Sequence, residues 1–454
     1  MRYAPDSRDL ARIETNDATV SYSRDAEHRV TQIQYQVNDD APRTFSYAYD
    51  ALGRRSQVTL ANGITAIYAW DAASQLTGIT YRRSDGSVMG DLTYGYDLAG
   101  RRTKAGGSLA KVDLPQAVSD AQYNGANQLT RWAGRTLTYD PNGNLVSDGV
   151  NQYGWNAQNL LEQVSGAVTA NFSYDMFGRR RDQTVNGHRT QSFWIGDELS
   201  FTIPDNDWAH RIRQFSPYPV GGLDELTYRR IGDDATGDRY VLRDANNNVI
   251  ALTDVNQQSQ TQYSYQPYGA TTQAGAADPN PQQYTGREND GAGLYYYRNR
   301  YYSPQTGRFI SEDQVGWASG QTNAYAYVGG NPVQLSDPMG LQAIPVPMPP
   351  PTGPSCNPGS GGVPKWFNDL FDGSTFNRPS KTPNKGEPGS VHVNPGSGQE
   401  RGYGADGWPD WDVDWDQHHG PNTPVPHGHD WGREENGDPS RGDPVPIHGP
   451  WQPK

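Results

Sequence analysis

Nine histidines are spread unevenly along this chain of 454 residues. His28, His188 and His210 come early; His392, His418, His419, His427, His429 and His448 crowd the C-terminal tail. Histidine gains and loses a proton near pH 7, so such a density suits acid–base catalysis or metal ligation. Three readings of the tail stay open. In the first it is a small metal-independent ribonuclease. A pair such as His419 and His429, with His418 and His427 beside them, deprotonates a 2′-hydroxyl and protonates the leaving oxygen, and Arg433 or Arg441 holds the phosphate. In the second, His427 and His429 with His418 or His419 and Asp430 hold a divalent metal for hydrolysis, although the spacing matches no standard zinc signature. In the third, the tail is an inert polar extension of low aliphatic content. Trp408, Trp411, Trp415, Trp431 and Trp451 argue against the third. The acidic run from Asp406 to Asp416 would repel phosphates, and suits a cation or the basic surface of a protein partner.

These side chains need elements to hold them. The tail opens with Pro345, Pro347, Pro349, Pro350, Pro351, Pro354 and Pro358, a stiff extended lead-in expected to form neither helix nor ladder. Residues 342–364 read as a linker and 365–454 as a small domain of loops and short strands. Trp366–Phe371 is its one expected short helix.

Upstream, the composition is that of a turn-rich chain. Hydrophobic residues make up 34% of the whole, with 51 Gly and 34 Pro, while 28 Tyr and 12 Trp supply large rings to bury. Net charge is −13, against general affinity for nucleic-acid backbones or anionic membranes. Cys356 is the only cysteine, so no intrachain disulfide framework exists. No run is long and apolar enough to span a membrane, and the opening residues 1–16 carry no apolar core of a secretory signal.

Residues 1–180 hold a degenerate repeat. Its clearest copies are Tyr47-Ala-Tyr-Asp-Ala-Leu-Gly-Arg54, Tyr94-Gly-Tyr-Asp-Leu-Ala-Gly-Arg101 and Phe172-Ser-Tyr-Asp-Met-Phe-Gly-Arg179. Two aromatics at i and i+2 share one strand face. Asp bonds nearby backbone, Gly supplies the positive φ of the turn, and Arg stacks on a Tyr or pairs with an Asp. One hairpin per repeat, stacked side by side, predicts an all-β chain. Residues 181–283 continue in strands; 240–254 reads as two alternating strands around an Asn-rich turn.

The repeats resemble the YD-repeat family. Tyr284–Leu341, which ends in Asp337-Pro-Met-Gly-Leu341, closely resembles the core domain of RHS (rearrangement hotspot) proteins. The resemblance implies a β-shell with the core plugging one end, and a tail that varies between members and is commonly a toxin. Family shells use many more repeats, so residues 1–341 are expected to form only part of one. It also implies self-cleavage after the second of two Asp-Pro-x-Gly-Leu motifs, by paired aspartates of aspartic-protease type. The first motif reads Asp313-Gln-Val-Gly-Trp317, with Pro and Leu replaced. This places the acids at Asp313 and Asp337 and the cut at Leu341–Gln342, with Arg308 orienting a carboxylate. Two close carboxylates share one proton, so one acts as acid and the other activates water. From the residues alone, both aspartates also read as plain turn formers.

The implied protein is a polymorphic toxin carrier freeing a nuclease effector. No cofactor is needed for the cut; a divalent metal stays open for the tail. Expected partners are an immunity protein on residues 342–454, a secretion apparatus (type VI by analogy) or a missing shell chain, and RNA or DNA as substrate. Synthesis in a bacterial cytoplasm and export without a signal peptide go with it. The rival reading is a non-enzymatic cell-surface or carbohydrate-binding shell.

Overall fold

The computed structural model describes residues 2–346, apart from 4–9, 15–17, 39 and 218–223, and the backbone of six short strands between residues 391 and 446. The chain divides into two compact units, Met1–Ser355 and Cys356–Lys454. Among the described residues there are strands and 3-10 turns but no α-helix. The span expected to be helical, 366–371, lies outside them.

The first unit is built of antiparallel meanders. A ten-stranded sheet runs in sequence order from Arg2–Tyr3 to Arg102–Gly106, and a fourteen-stranded sheet from Thr138–Tyr139 to Thr271–Gly275. The repeat dictates this order. In Asp50-Ala-Leu-Gly-Arg54, Asp50 Oδ1 accepts the amides of Leu52 and Arg54, both at 2.9 Å, and Arg54 Nε closes the turn on Asp50 Oδ2 at 2.7 Å. Asp97 with Arg101 and Asp175 with Arg179 repeat this arrangement. Gly53 sits at φ +78°, which glycine adopts without strain.

Successive repeats are riveted by the ring before each turn. Tyr49 Oη donates to the carbonyl of Val30 at 2.7 Å, Tyr96 to Leu76 at 2.8 Å, and Tyr174 to Leu161. Trp70, Trp155 and Trp194 do the same through indole Nε1, each at 2.8 Å, to Arg55, Leu145 and Arg180. Every acceptor is the first residue of a strand that follows an earlier turn. The polar edge of a large ring thus finds a partner while its body is buried.

The strands Asp238–Arg243 and Val249–Thr253 depart from the expected alternation, and Val249–Thr253 is buried at every position. Both faces are covered. Leu242, Ile250 and Ala251 pack on the first sheet, where Tyr35 stacks on Phe215 at 4.8 Å. Val241, Val249 and Leu252 pack on the segment 284–328. That segment supplies a four-stranded sheet, Glu288–Asn289 to Arg308–Phe309, and a plug of buried tyrosines: Tyr284, Tyr295, Tyr297, Tyr302 and Tyr327.

The six strands of the second unit form an antiparallel sheet. Its strand His427–Arg433 pairs with Pro409–Asp414 in the register Asp414↔His427 and Asp412↔His429.

Candidate functional site

The strand Arg300–Ser303 and the turn 337–341 build the site. Arg300 is the strand's first residue and its side chain is 1% exposed. Its guanidinium lies 3.7 Å from the centre of the Phe309 ring, and Nη1 donates to the carbonyl of Ala324 at 2.9 Å. The other terminal nitrogen, Nη2, reaches both acids: Asp313 Oδ2 at 3.2 Å and Asp337 Oδ2 at 3.4 Å. Two carboxylates 24 positions apart in the chain therefore converge on one buried cation.

Asp337 is fully buried. Its other oxygen, Oδ1, accepts the amide of Leu341 at 3.0 Å and the amide of Gln342 at 3.1 Å. The Gln342 nitrogen is the one that leaves if Leu341–Gln342 is hydrolysed. Asp313 Oδ1 accepts the Val315 amide at 3.1 Å, so each aspartate also shapes its own turn. Burial pushes the Asp337 carboxyl above the ordinary aspartate range; Arg300 and the two amides oppose this, and the charge of Asp313 adds to it. Burial raises Asp313 as well, against Arg300. Burial in turn lowers the Arg300 guanidinium, against both acids. The replacements Gln314 and Trp317 leave the Asp313 carboxylate in the site.

Arg308 does not take the role expected of it. Its guanidinium donates to the carbonyl of Asn127 and to Asn323 Oδ1, and lies over the rings of Tyr123 and Tyr325. Arg308 and Arg300 lie on paired strands, but Arg308 pairs at Ser303, three residues along from Arg300. The Tyr-Tyr-Tyr-Arg-Asn-Arg run carried the signal: two arginines beside a buried tyrosine strand need acids.

After the candidate bond the chain turns back. Ile344–Pro345 forms a two-residue strand against Leu335–Ser336, and the Val346 amide donates to the carbonyl of Gln334 at 2.7 Å. The proline lead-in thus starts with a short ladder, contrary to expectation, because Val346 rather than Pro345 donates. In the tail, His427, His429, Asp430 and Arg433 share one strand, with only their backbone described. His418 and His419 lie outside the described residues. Among the described residues, no group of three or more His, Cys, Asp or Glu is placed to hold a metal, and no helix is long and apolar enough to cross a membrane.

Hairpins that close on Asp, Gly and Arg, riveted ring to carbonyl and plugged by a tyrosine core, define a β-shell protein. The teneurin YD-shell family matches residues 5–333, and the chain belongs to that family. It is 32% identical over 268 residues to the tRNA3(Ser)-specific nuclease WapA of Bacillus spizizenii, an alignment covering 56% of this chain and 11% of that protein. It is 26% identical over 417 residues to the toxin protein Tse5 of Pseudomonas aeruginosa, covering 71% of this chain and 31% of the relative. The chain thus spans less than a third of the length of either relative. The crystal structure of TcdB2-TccC3-Cdc42 shares the fold with a TM-score of 0.55 at 20% identity, over 71% of this chain and 20% of that one.

Proposed function

We propose that residues 1–341 are the carrier of an RHS-type polymorphic toxin, which cuts itself at Leu341–Gln342 to free residues 342–454 as a nuclease effector. The observation that carries the cut is the Asp337 carboxylate on the Gln342 amide, beside a second buried acid on the same guanidinium.

In this mechanism Asp313 is ionised and takes a proton from water, whose oxygen attacks the Leu341 carbonyl carbon. Addition of water makes the Gln342 nitrogen pyramidal and basic, and Asp337, protonated, then gives its proton to that nitrogen's lone pair as the C–N bond breaks. One water is consumed, leaving a Leu341 carboxylate and a Gln342 amine. Arg300 holds the two acids together, and burial keeps one of them protonated.

The effector reading draws on the names of the relatives, a tRNA nuclease and a toxin, and on the histidines of the tail. His419 and His429 serve as the base and acid on RNA, with His418 and His427 beside them and Arg433 on the phosphate. An immunity protein covers residues 342–454 in the producing cell, and a secretion apparatus carries the shell to a competitor.

Expressing the full chain in a bacterial host tests this reading. Growth arrest with loss of intact RNA is expected, and His419→Ala with His429→Ala relieves it while the cut continues. A host that grows normally with intact RNA and DNA would sink the nuclease.

A further inference from the structure

Two residues beside Arg300 also grip the turn that carries the candidate bond. Three consecutive residues of the core take three consecutive carbonyls of the 337–341 turn. Arg298 Nη1 donates to the carbonyl of Pro338 at 2.6 Å. Asn299 donates to that of Met339 through Nδ2 at 2.9 Å and through its own amide at 3.4 Å. Arg300 Nε donates to that of Gly340. The next peptide along is Leu341–Gln342.

Arg298 is itself held from several sides. It stands at φ +58°, an uncommon conformation for a bulky residue, which persists only where the surroundings enforce it. Its guanidinium makes a two-pronged pair with Asp224, at 2.9 and 2.7 Å, and also bonds the carbonyl of Asp197. Asp224 is anchored in turn by Arg287 at 2.6 Å, and its amide by Glu198 at 2.9 Å. The Pro338 carbonyl is therefore tied to a rigid charged network more than a hundred residues upstream in the chain.

We infer that Arg298 and Asn299 are positioning residues for self-cleavage, fixing the Pro338 and Met339 carbonyls so that the Leu341–Gln342 peptide stays on the aspartate pair. This rests on the proposed cut. A turn of five residues held only by Asp337 can open; three further residues donating to its outer carbonyls remove that freedom. The hydrogen bonds of both residues go to the turn's carbonyls and to Asp197 and Asp224 rather than to the Asp313 or Asp337 carboxylates, so both are positioning residues. Small errors of placement cost a reaction about 10- to 100-fold.

The test follows cleavage in a pulse of cell-free synthesis, for the wild-type chain, Asn299→Ala, Arg298→Lys, Arg298→Ala and Asp337→Asn. The fraction of trypsin-resistant shell is measured in each sample, so that rate is expressed per folded molecule. Asn299→Ala and Arg298→Ala are expected to cut about 10- to 100-fold more slowly per folded molecule, with the pH limbs of the rate unchanged. Millimolar guanidinium restores part of the Arg298→Ala rate, and Arg298→Lys falls between the two. Asp337→Asn stays uncut, and no additive rescues it. Wild-type rates in Asn299→Ala and Arg298→Lys overturn the inference, as does a loss that follows only the loss of folded shell. If the wild-type chain is itself uncut, the proposed cleavage fails first.

Discussion

Asp337 accepts the backbone amide of Gln342, five residues further along, at 3.1 Å. A carboxylate that closes its own turn usually bonds two to four residues ahead. Here the same oxygen takes both Leu341 and Gln342, so it rests on the nitrogen of the peptide that ends the carrier. The geometry closes a turn and also sets Asp337 on the nitrogen that would leave in the proposed cut.

The pH dependence of the cut follows from burial. Asp313 and Asp337 both lie above the ordinary aspartate value, burial being the first cause for each. In the proposed mechanism the active form has one proton on the pair. Cleavage rate is therefore expected to rise with pH as the first proton leaves and to fall as the second leaves, with the falling limb above the normal carboxylate range. A rate that climbs steadily through neutral pH contradicts this.

Gly340 stands at φ +69°, and a Cβ there would lie 2.5 Å from the carbonyl oxygen of Tyr297. Gly340→Ala is expected to shift the turn off the aspartates and slow cleavage about 100-fold, with the shell folded. Gly100→Ala makes the control, because a Cβ there meets only the Gln75 side chain at 3.1 Å. Equal cleavage rates in the two variants, read on a denaturing gel, count against the clamped turn.

Glu198 is half-buried beside Asp224 with its Oε2 fully buried, and desolvation raises its carboxyl from 4.5 to about 7. The sign is that of a raised acid. Below about pH 4.5 folded and unfolded chains both hold the proton, and there is no penalty. As pH rises to about 7 the unfolded chain has lost the proton that the folded chain keeps, so stability falls by on the order of 3 kcal/mol. Glu198→Gln removes that loss. Urea midpoints of the variant and the wild type are expected to coincide near pH 4.5 and to separate by pH 8 in favour of the variant. A constant difference across this range refutes the assignment.

Arg180 and Glu288 pair at 2.8 Å with side chains 2% and 3% exposed, tying the second sheet to the plug. Breaking a buried pair strands a charge, so Glu288→Gln is expected to cost about 3 kcal/mol or more. Arg180→Met together with Glu288→Leu costs less than the single change. Denaturant unfolding of the three chains reads this directly.

The proposed cut severs the chain, and the strand just after the bond is expected to delay release of the tail. Ile344 is 1% exposed, and its strand stays paired with Leu335–Ser336 on the other side of the bond. The two fragments are expected to elute together on size exclusion under native conditions, and Ile344→Asp to loosen them. Separate elution of the wild-type fragments shows that this ladder does not hold.

Much of this was legible in the residues. The Asp, Gly and Arg of each repeat act within five positions of one another, so the hairpin and its turn could be read directly. The second acid and the bond after it came from the family resemblance, since the residues Asp337-Pro-Met-Gly-Leu341 by themselves read as a plain turn. What escaped reading was non-local. Arg300 meets Asp337 across 37 residues. Arg308 stood nearer to Asp313 in sequence, and the fold turned it toward Tyr123 and Tyr325 instead. Burial of whole arginine–acid clusters, such as Arg287–Asp224–Arg298, follows only from the tyrosine plug closing over them. Double burial of Val249–Thr253 likewise follows from two layers meeting there, which alternation within one strand does not encode.

The proposed self-cleavage needs this chain to cut its own Leu341–Gln342 bond with Asp337. Denaturing mass spectrometry of the purified full chain, beside Asp337→Asn, tests it most directly. Two fragments meeting at Leu341 and Gln342 are expected in the wild type and a single 50.1 kDa chain in the variant. An intact 50.1 kDa wild-type chain, or the same break in both samples, contradicts it.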